Sequence, residues 1–379
     1  MKYVAIQMLF GDRAKLFGLV FSIAFASFLL MNQTSIFAGI MTRTGNQVLD
    51  VIDAPVWVMD PKTAYAEEIA PMTDSQLFRV RGVESAAWAV PLYKGFAQAK
   101  AADGTFRQCI LMGVDDATLV GAVRKLVLGS MEVLREPNTV ILDKAGYEFF
   151  FPGQPLELGR TLEMNDHRVV IGAISDASPP FATFPIVYAR YSLAVQLIGH
   201  ESRQLSLILA APKDGVTPQQ LVERIAVQTG LHAATQKGFF WETIRYYLKN
   251  TGIPVNFGIT IAIALIVGTI VAGQTFYIFT IENLRQFGAL KAIGVSNRRL
   301  VGLIVLQALI VAAIGYGIGL GLCATFFQVT LQKAATRGIT LLWQNAVGVG
   351  AVVFVVVILS SLLSIRKVVQ LEPAIVFRG

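Results

Sequence analysis

Four stretches of this chain carry no Asp, Glu, Lys or Arg: Leu16–Thr42, Asn250–Ile281, Leu300–Gln332 and Gly338–Ile365. Each exceeds the roughly 20 residues that a helix needs to cross the hydrocarbon core of a bilayer. Runs this long and this uniform do not suit a surface helix, which keeps a polar face for water. Elsewhere the longest uncharged stretch, Ala177–Ala189, has 13 residues and three prolines and is too short to span. With 54% hydrophobic residues in 379, the chain is also too apolar for an ordinary soluble protein. The sequence therefore predicts a membrane protein with four transmembrane α-helices. A large extracytoplasmic α+β domain lies between helices 1 and 2. The expected bounds are a helix at 1–15, spans at 16–41, 253–281, 300–327 and 341–365, and the domain at 42–250. A loop at 282–299, a short outer loop at 328–340 and a tail at 366–379 complete the chain.

Charge sets the expected orientation. The net charge of +7 divides into −2 over Arg43–Lys249 and +9 over everything else. Lys2, Arg13, Lys15, Arg285, Lys291, Arg298, Arg299, Arg366, Lys367 and Arg378 all fall on one side of a four-span topology. The opposite loop between spans three and four has only Lys333 and Arg337. Basic residues collect on the cytoplasmic side, so both termini and the 282–299 loop are expected there, in a bacterial plasma membrane. The same confinement of basic charge to membrane flanks argues against a nucleic-acid partner.

Met1–Lys15 reads as a short amphipathic helix lying in the cytoplasmic interface, with Val4, Ile6, Met8, Leu9 and Phe10 apolar. A cleaved signal peptide is the competing reading, but the apolar run is long and Ala24-Phe25-Ala26 lies too early in it. The outer domain hints at an internal repeat. Ala54–Met59 and Ser85–Val90 read as strands around a helix at Thr73–Arg81. Gln204–Ala210 and Leu231–Thr235 read as strands around a second helix, with Thr217 as N-cap, Pro218 at its first position and Gly230 at its end. The two β-α-β units are expected to pack as one lobe. A second lobe, roughly 121–189, is inserted between them. It contains a strand-turn-strand around Asn165-Asp166 and an irregular segment marked by Pro179, Pro180 and Pro185. Phe149-Phe150-Phe151 and Phe239-Phe240-Trp241 read as core, and Trp241–Tyr247 as a helix leading back to the membrane.

Pro254 marks the start of the second span. The third carries Gly315, Gly317, Gly319 and Gly321, which form two overlapping G-x-x-x-G pairs. Small residues on one face let helix backbones meet in lipid, either within the subunit or at a dimer seam. Gln274, Gln307 and Gln328 could hydrogen-bond between helices. None of the spans carries a charge, so the chain has no visible means of coupling transport to an ion gradient. It also lacks a phosphate-cradling G-x-x-x-x-G-K-[ST] loop and the H-E-x-x-H, G-x-S-x-G and C-x-x-C motifs. Cys109 and Cys323 form no disulfide framework, and His167, His200 and His232 have no metal-ligand spacing. No catalytic residue and no metal site are expected.

What remains is Glu282–Leu300, ENLRQFGALKAIGVSNRRL. Helix formers dominate Glu282–Ile293, Gly294 can end the helix in a left-handed turn, and Ser296 can cap the next one. Phe287, Leu290, Ile293 and Val295 are too apolar for a solvated loop, so a partner's groove or the lipid interface is expected to cover them.

Arg285-Gln286-Phe287-Gly288-Ala289-Leu290-Lys291-Ala292-Ile293-Gly294-Val295-Ser296 resembles the FtsX/MacB-like permease motif, approximately R-E-[FI]-G-x-[LM]-[RK]-A-[LI]-G-[AV]-[ST]. Gln286 departs from it, since Glu is usual there. The tail Leu371–Arg378 is similar to the family's L-x-P-x-x-x-x-R ending, and the overall layout matches as well. Within the family the DevC type, which works with an HlyD-like adaptor, is the nearest resemblance. The resemblance implies a mechanotransmission permease of an ABC transporter, acting on a lipid-like or other hydrophobic substrate on the outer side. A separate ABC ATPase subunit would hold ATP and Mg and dock at Glu282, Arg285, Gln286, Phe287, Gly288, Leu290, Lys291, Ile293 and Gly294. No cofactor is expected in this chain. Further implied partners are a second permease copy, membrane lipid, an adaptor and an outer-membrane channel. The alternative implied role is an FtsX-like regulator that drives an extracytoplasmic partner such as a cell-wall hydrolase.

Overall fold

The structure is a computed structural model and describes residues 2–51, 53–101, 103–123, 125–198, 205–331 and 337–369. His200, Lys333 and the tail from Gln370, including Leu371–Arg378, lie outside the described residues. The chain divides into two compact units, Met1–Gly39 with Gly252–Gly379, and Ile40–Thr251. Helix α1 (Lys2–Phe10) opens the first unit and is followed by α2 (Arg13–Asp50). The apolar part of α2 is continuous with a polar end, so the helix runs well past the span expected at 16–41. Several of its hydroxyls bond back to the helix, although that of the buried Ser27 has no hydrogen-bond partner among the described residues. Ser22 Oγ donates to Gly18 O at 2.7 Å and Thr34 Oγ1 to Leu30 O at 2.9 Å, the arrangement that lipid surroundings require.

The second unit is α+β. It contains β1 (Val56–Met59), α3 (Asp74–Arg81), β2 (Ala86–Lys100), β3 (Phe106–Val114), β4 (Leu126–Leu128), β5 (Thr139–Asp143), α4 (Lys144–Phe150), β6 (Thr161–Met164) and β7 (His167–Ser175). Next come β8 (Ile186–Arg190), α5 (Tyr191–Ile198), β9 (Leu207–Pro212), α6 (Pro218–Thr229), β10 (His232–Thr235) and α7 (Gln236–Asn250). The strand order is β10-β1-β9-β2-β3-β8-β5-β7-β4, with β6 pairing β2 and β7. All pairs are antiparallel except β3 with β8 and β5 with β7.

The two expected β-α-β units do share one lobe. β1 lies between β9 and β10, and β9 pairs with β2. Val56, Val58, Leu77, Val80, Ile208 and Ile225 form one core between this sheet and helices α3 and α6. Local chemistry sets the ends of α6. Thr217 Oγ1 accepts from Gln220 N at 3.2 Å, and Gln220 Oε1 accepts from Thr217 N at 3.0 Å, a complete capping box.

β2 is the element that sequence underestimates. It runs through Lys100 rather than ending near Val90, and it changes partners midway. Ala86–Leu92 pair with β9, and Tyr93–Lys100 with β3. Pro91 and Gly95 flank the changeover, where a missing ladder donor and a missing side chain are tolerated. The inserted lobe has its own core of Leu111, Val140, Tyr147, Phe150, Ile171 and Val187. Asn165 and Asp166 adopt φ of 43° and 65° and close the β6–β7 hairpin. The aromatic triplets divide: Phe150, Phe239 and Phe240 are core, whereas Phe149 and Trp241 are exposed.

The first unit is completed by α8 (Ile253–Glu282), α9 (Leu284–Ala292), α10 (Asn297–Thr330) and α11 (Trp343–Val369). Among the described residues four helices, α2, α8, α10 and α11, are long and apolar enough to cross a membrane. The glycines of α10 sort onto two faces. A Cβ on Gly315 would lie 2.8 Å from Ile23 Cβ, and one on Gly319 would lie 2.6 Å from Ala24 O, so this pair seats α10 against α2. Gly317 and Gly321 have nothing within 4 Å of that position and face outward. Of Gln274, Gln307 and Gln328, Gln307 alone is buried. Its Nε2 donates to Ala5 O at 3.0 Å, while Gln274 and Gln328 are exposed.

Candidate functional site

The site is built around α9, a helix of nine residues between two membrane-length helices. Asn283 closes α8. Its backbone N–H donates to Phe279 O at 3.2 Å and its Nδ2 to the same carbonyl at 2.7 Å. Its own carbonyl then accepts from Phe287 N at 3.1 Å and begins α9. At the other end Gly294 takes φ +90°, Gly294 N donates to Lys291 O at 3.0 Å and Val295 N to Leu290 O at 3.1 Å. A residue with a Cβ would be strained in this left-handed position. Ser296 is extended, and its carbonyl accepts from Arg299 N and Leu300 N at 3.0 and 3.2 Å to start α10. Both junctions are therefore single tight turns, which leaves α9 little freedom to move apart from the spans.

One face of α9 is committed to this chain. Phe287 is completely buried with Ala5, Leu300, Leu303 and Ile304, and Leu284, Leu290, Val295, Val4 and Met8 pack around them. Gly288 is buried beside Phe287. The expectation that a partner's groove or the lipid interface covers Phe287 is corrected: α1 and α10 of this chain cover it instead. The opposite face is open and carries Arg285, Gln286, Ala289, Ala292 and Ile293, with Ile293 78% exposed. Positions 285, 289, 292 and 293 share a side of the helix through three- and four-residue spacing. Lys291 is half-buried in the last turn, where a cation is favourable. Glu282 does not belong to α9. It is the last residue of α8, and its carboxylate pairs with Lys15 Nζ at 3.2 Å, which also pairs with Asp12 at 2.9 Å.

Sequence reading missed the contribution of the N-terminus. Ala5 and Leu9 are fully buried, while Tyr3, Ile6 and Phe10 are exposed, so α1 is apolar on two sides rather than amphipathic. The apolar residues of Met1–Lys15 were the available signal. Nothing in sequence pointed Gln307 at Ala5. No cluster of three or more His, Cys, Asp or Glu residues suited to a metal occurs among the described residues, and Cys109 and Cys323 are buried and free.

This combination, four apolar helices, an α+β domain after the first and a short tethered helix after the second, defines a class. Residues 16–227 match the MacB-like periplasmic core domain family and residues 258–373 the FtsX-like permease C-terminal family. The chain belongs to the FtsX/MacB type of ABC transporter permease, and its α+β domain is extracytoplasmic. The uncharacterized ABC transporter permease Rv2563 of Mycobacterium tuberculosis is 32% identical over 117 residues, which cover 30% of this chain and 31% of that protein. The uncharacterized ABC transporter permease Rv0072 of the same species is 30% identical over 226 residues, 59% of this chain and 58% of that one. The chain thus spans between about a third and three-fifths of the length of these relatives. Among solved structures, the periplasmic region of MacB from Actinobacillus actinomycetemcomitans aligns with TM-score 0.36 and 14% identity over 53% of this chain and 95% of that one. The extracellular domain of the ABC-type transporter YknZ from Gram-positive bacteria aligns with TM-score 0.35 and 12% identity over 48% and 98%.

Proposed function

We propose that this permease is a mechanotransmission subunit whose ATPase partner docks on the open face of α9. The observation that carries this reading is the division of α9 into a face sealed by α1 and α10 and a face presenting Arg285, Gln286, Ala289 and Ile293. A helix tied by one turn to each neighbouring span passes a push from its outer face into both spans. The ATPase holds ATP and Mg and performs the hydrolysis; this chain supplies the docking surface. The termini and α9 lie on the cytoplasmic side, as the concentration of basic residues there favours. α2 is one unbroken helix from Arg13 to Asp50, a stiff element suited to carrying displacement along its length. Two copies of the permease act together, and the substrate is a lipid-like or other hydrophobic molecule exported or extracted on the outer side. Spans free of charge support movement of the protein rather than a polar path for solute. A DevC-like arrangement adds an HlyD-like adaptor and an outer-membrane channel.

The test is reconstitution of the permease with its ATPase. Ile293→Asp should abolish complex formation and stimulation of hydrolysis while leaving the permease folded. Normal binding and stimulation by this variant would remove α9 from the coupling role.

A further inference from the structure

Where β2 changes partners, the outer domain contains a cavity of about 230 Å³ lined by Glu67, Ile69, Lys94, Phe96, Ile110 and Phe184, among others. It is larger than the roughly 150 Å³ that accommodates a benzene and smaller than the roughly 300–1,000 Å³ typical of drug-sized ligands. Its walls are mainly apolar. Phe96 and Phe184 meet edge to face at 5.6 Å, and Phe96 is half exposed at the surface.

The exceptional wall residue is Lys94. Its Nζ donates to Ala66 O at 2.7 Å, and Lys94 forms no ion pair among the described residues. An ammonium has three donors, so most of its hydrogen-bonding capacity is left to whatever fills the cavity. Glu67, which also lines the cavity, acts on Lys94 through its charge but forms no ion pair with it among the described residues, and its Oε2 accepts from Tyr247 OH at 2.6 Å. An ammonium held beside aromatic walls without a paired carboxylate is costly, and tying the loop at Ala66 does not require one, since any neutral donor would serve. Burial draws the Lys94 ammonium down to about 8 against the opposing effect of Glu67, so it remains mostly charged at neutral pH.

From this geometry we infer that the cavity binds the acidic head of a small amphiphile, a carboxylate or phosphate on an apolar body, with Lys94 as counter-ion and Phe96 and Phe184 against the body. The inference does not rest on the coupling role of α9, and the site needs no ATPase to fill.

The test uses the full chain in lipid nanodiscs and equilibrium dialysis of four probes: octanoate, octyl phosphate, octanol and octylamine. Wild-type protein should bind octanoate or octyl phosphate saturably at one site per chain, and the tighter of the two identifies the head group. Lys94→Met should weaken both by at least roughly tenfold while changing octanol little, and Lys94→Arg should retain both. Ala182 is an exposed residue of the cavity lining; Ala182→Trp puts an indole there and leaves Lys94 in place, so it should abolish saturable binding of either anion. This variant decides the matter if Lys94→Met fails to fold. Saturable binding equal in wild type and Ala182→Trp, octylamine binding tighter than the anions, or no saturable anion binding to wild type would overturn the assignment.

Discussion

Phe287 on α9 and Ile293, the residue that follows the helix, should fail in different ways when truncated. Phe287 is completely enclosed by Ala5, Leu300, Leu303 and Ile304. Replacing a buried Phe by Ala costs about 3–5 kcal/mol, through lost burial and the cavity left behind. That loss falls on the packing of α1, α9 and α10, so Phe287→Ala should lower the melting temperature of the purified permease. Any effect on the ATPase should follow from that. Ile293 is 78% exposed and packs against little in this chain. Complete burial of an Ile side chain contributes roughly 1.5–3 kcal/mol, so covering the exposed part of Ile293 is worth about 1.2–2.3 kcal/mol. Ile293→Ala should leave the melt unchanged and weaken the ATPase complex by roughly 7- to 50-fold in Kd. The assays are a thermal melt in detergent, titration of the ATPase onto immobilised permease, and stimulated ATP hydrolysis. Finding that Phe287→Ala keeps its melting temperature yet loses the ATPase, with Ile293→Ala unaffected, would refute the division of α9 into an inner and an outer face.

Other consequences follow from individual contacts. Gly319→Val would drive a side chain into Ala24 O, at 2.6 Å from the new Cβ, and should destabilise the permease; Gly317→Val meets nothing within 4 Å and should not. Size-exclusion light scattering on Gly317→Val then tests whether that outward face contributes to self-association. His232 Nε2 and Glu242 Oε2 lie 3.0 Å apart, and this bond raises the His232 pKa above its ordinary 6.5. A raised histidine stabilises the fold fully below about pH 6.5 and loses that contribution as pH rises through the folded value. Melting temperatures of wild type should therefore fall more between pH 6 and 8 than those of Glu242→Gln, within about that window. For topology, Ala292→Cys should resist, and Glu84→Cys should accept, an impermeant thiol reagent on intact cells; the reverse pattern would invert the proposed orientation. Native Cys109 will not interfere, because burial pushes its thiol up to about 12. Permease purified free of its partner should hydrolyse no ATP until the ATPase is added.

Features with local causes were legible in the sequence. A run such as Asn250–Ile281 excludes charge over its whole length, and only lipid or a wholly apolar surrounding accepts that, so the span is readable without any partner. Thr217-Pro218 and Gly230 bound α6 because capping chemistry acts within a few residues, and Asn165-Asp166 made the hairpin turn for the same reason. Gly294 likewise announced the end of α9, since the required left-handed turn is a property of that one residue.

Tertiary structure decided whatever depended on which distant surface arrived. The second half of β2 exists through pairing with β3, and its own residues, YKGFAQAK, alternate too weakly to declare a strand. Phe287 on α9 and Ile293 at its end are alike apolar in sequence, but only the arrival of Ala5 and Leu300 made one core and left the other on the surface. Gly315, Gly317, Gly319 and Gly321 of α10 are equivalent in sequence, and the approach of α2 alone separates Gly315 and Gly319 from Gly317 and Gly321. Lys94 is one lysine among many until Ala66, Phe96 and Phe184 surround it, because an ammonium's environment is set by groups far along the chain. Spacing along a chain fixes which residues share a face; burial of that face is fixed by packing against another element.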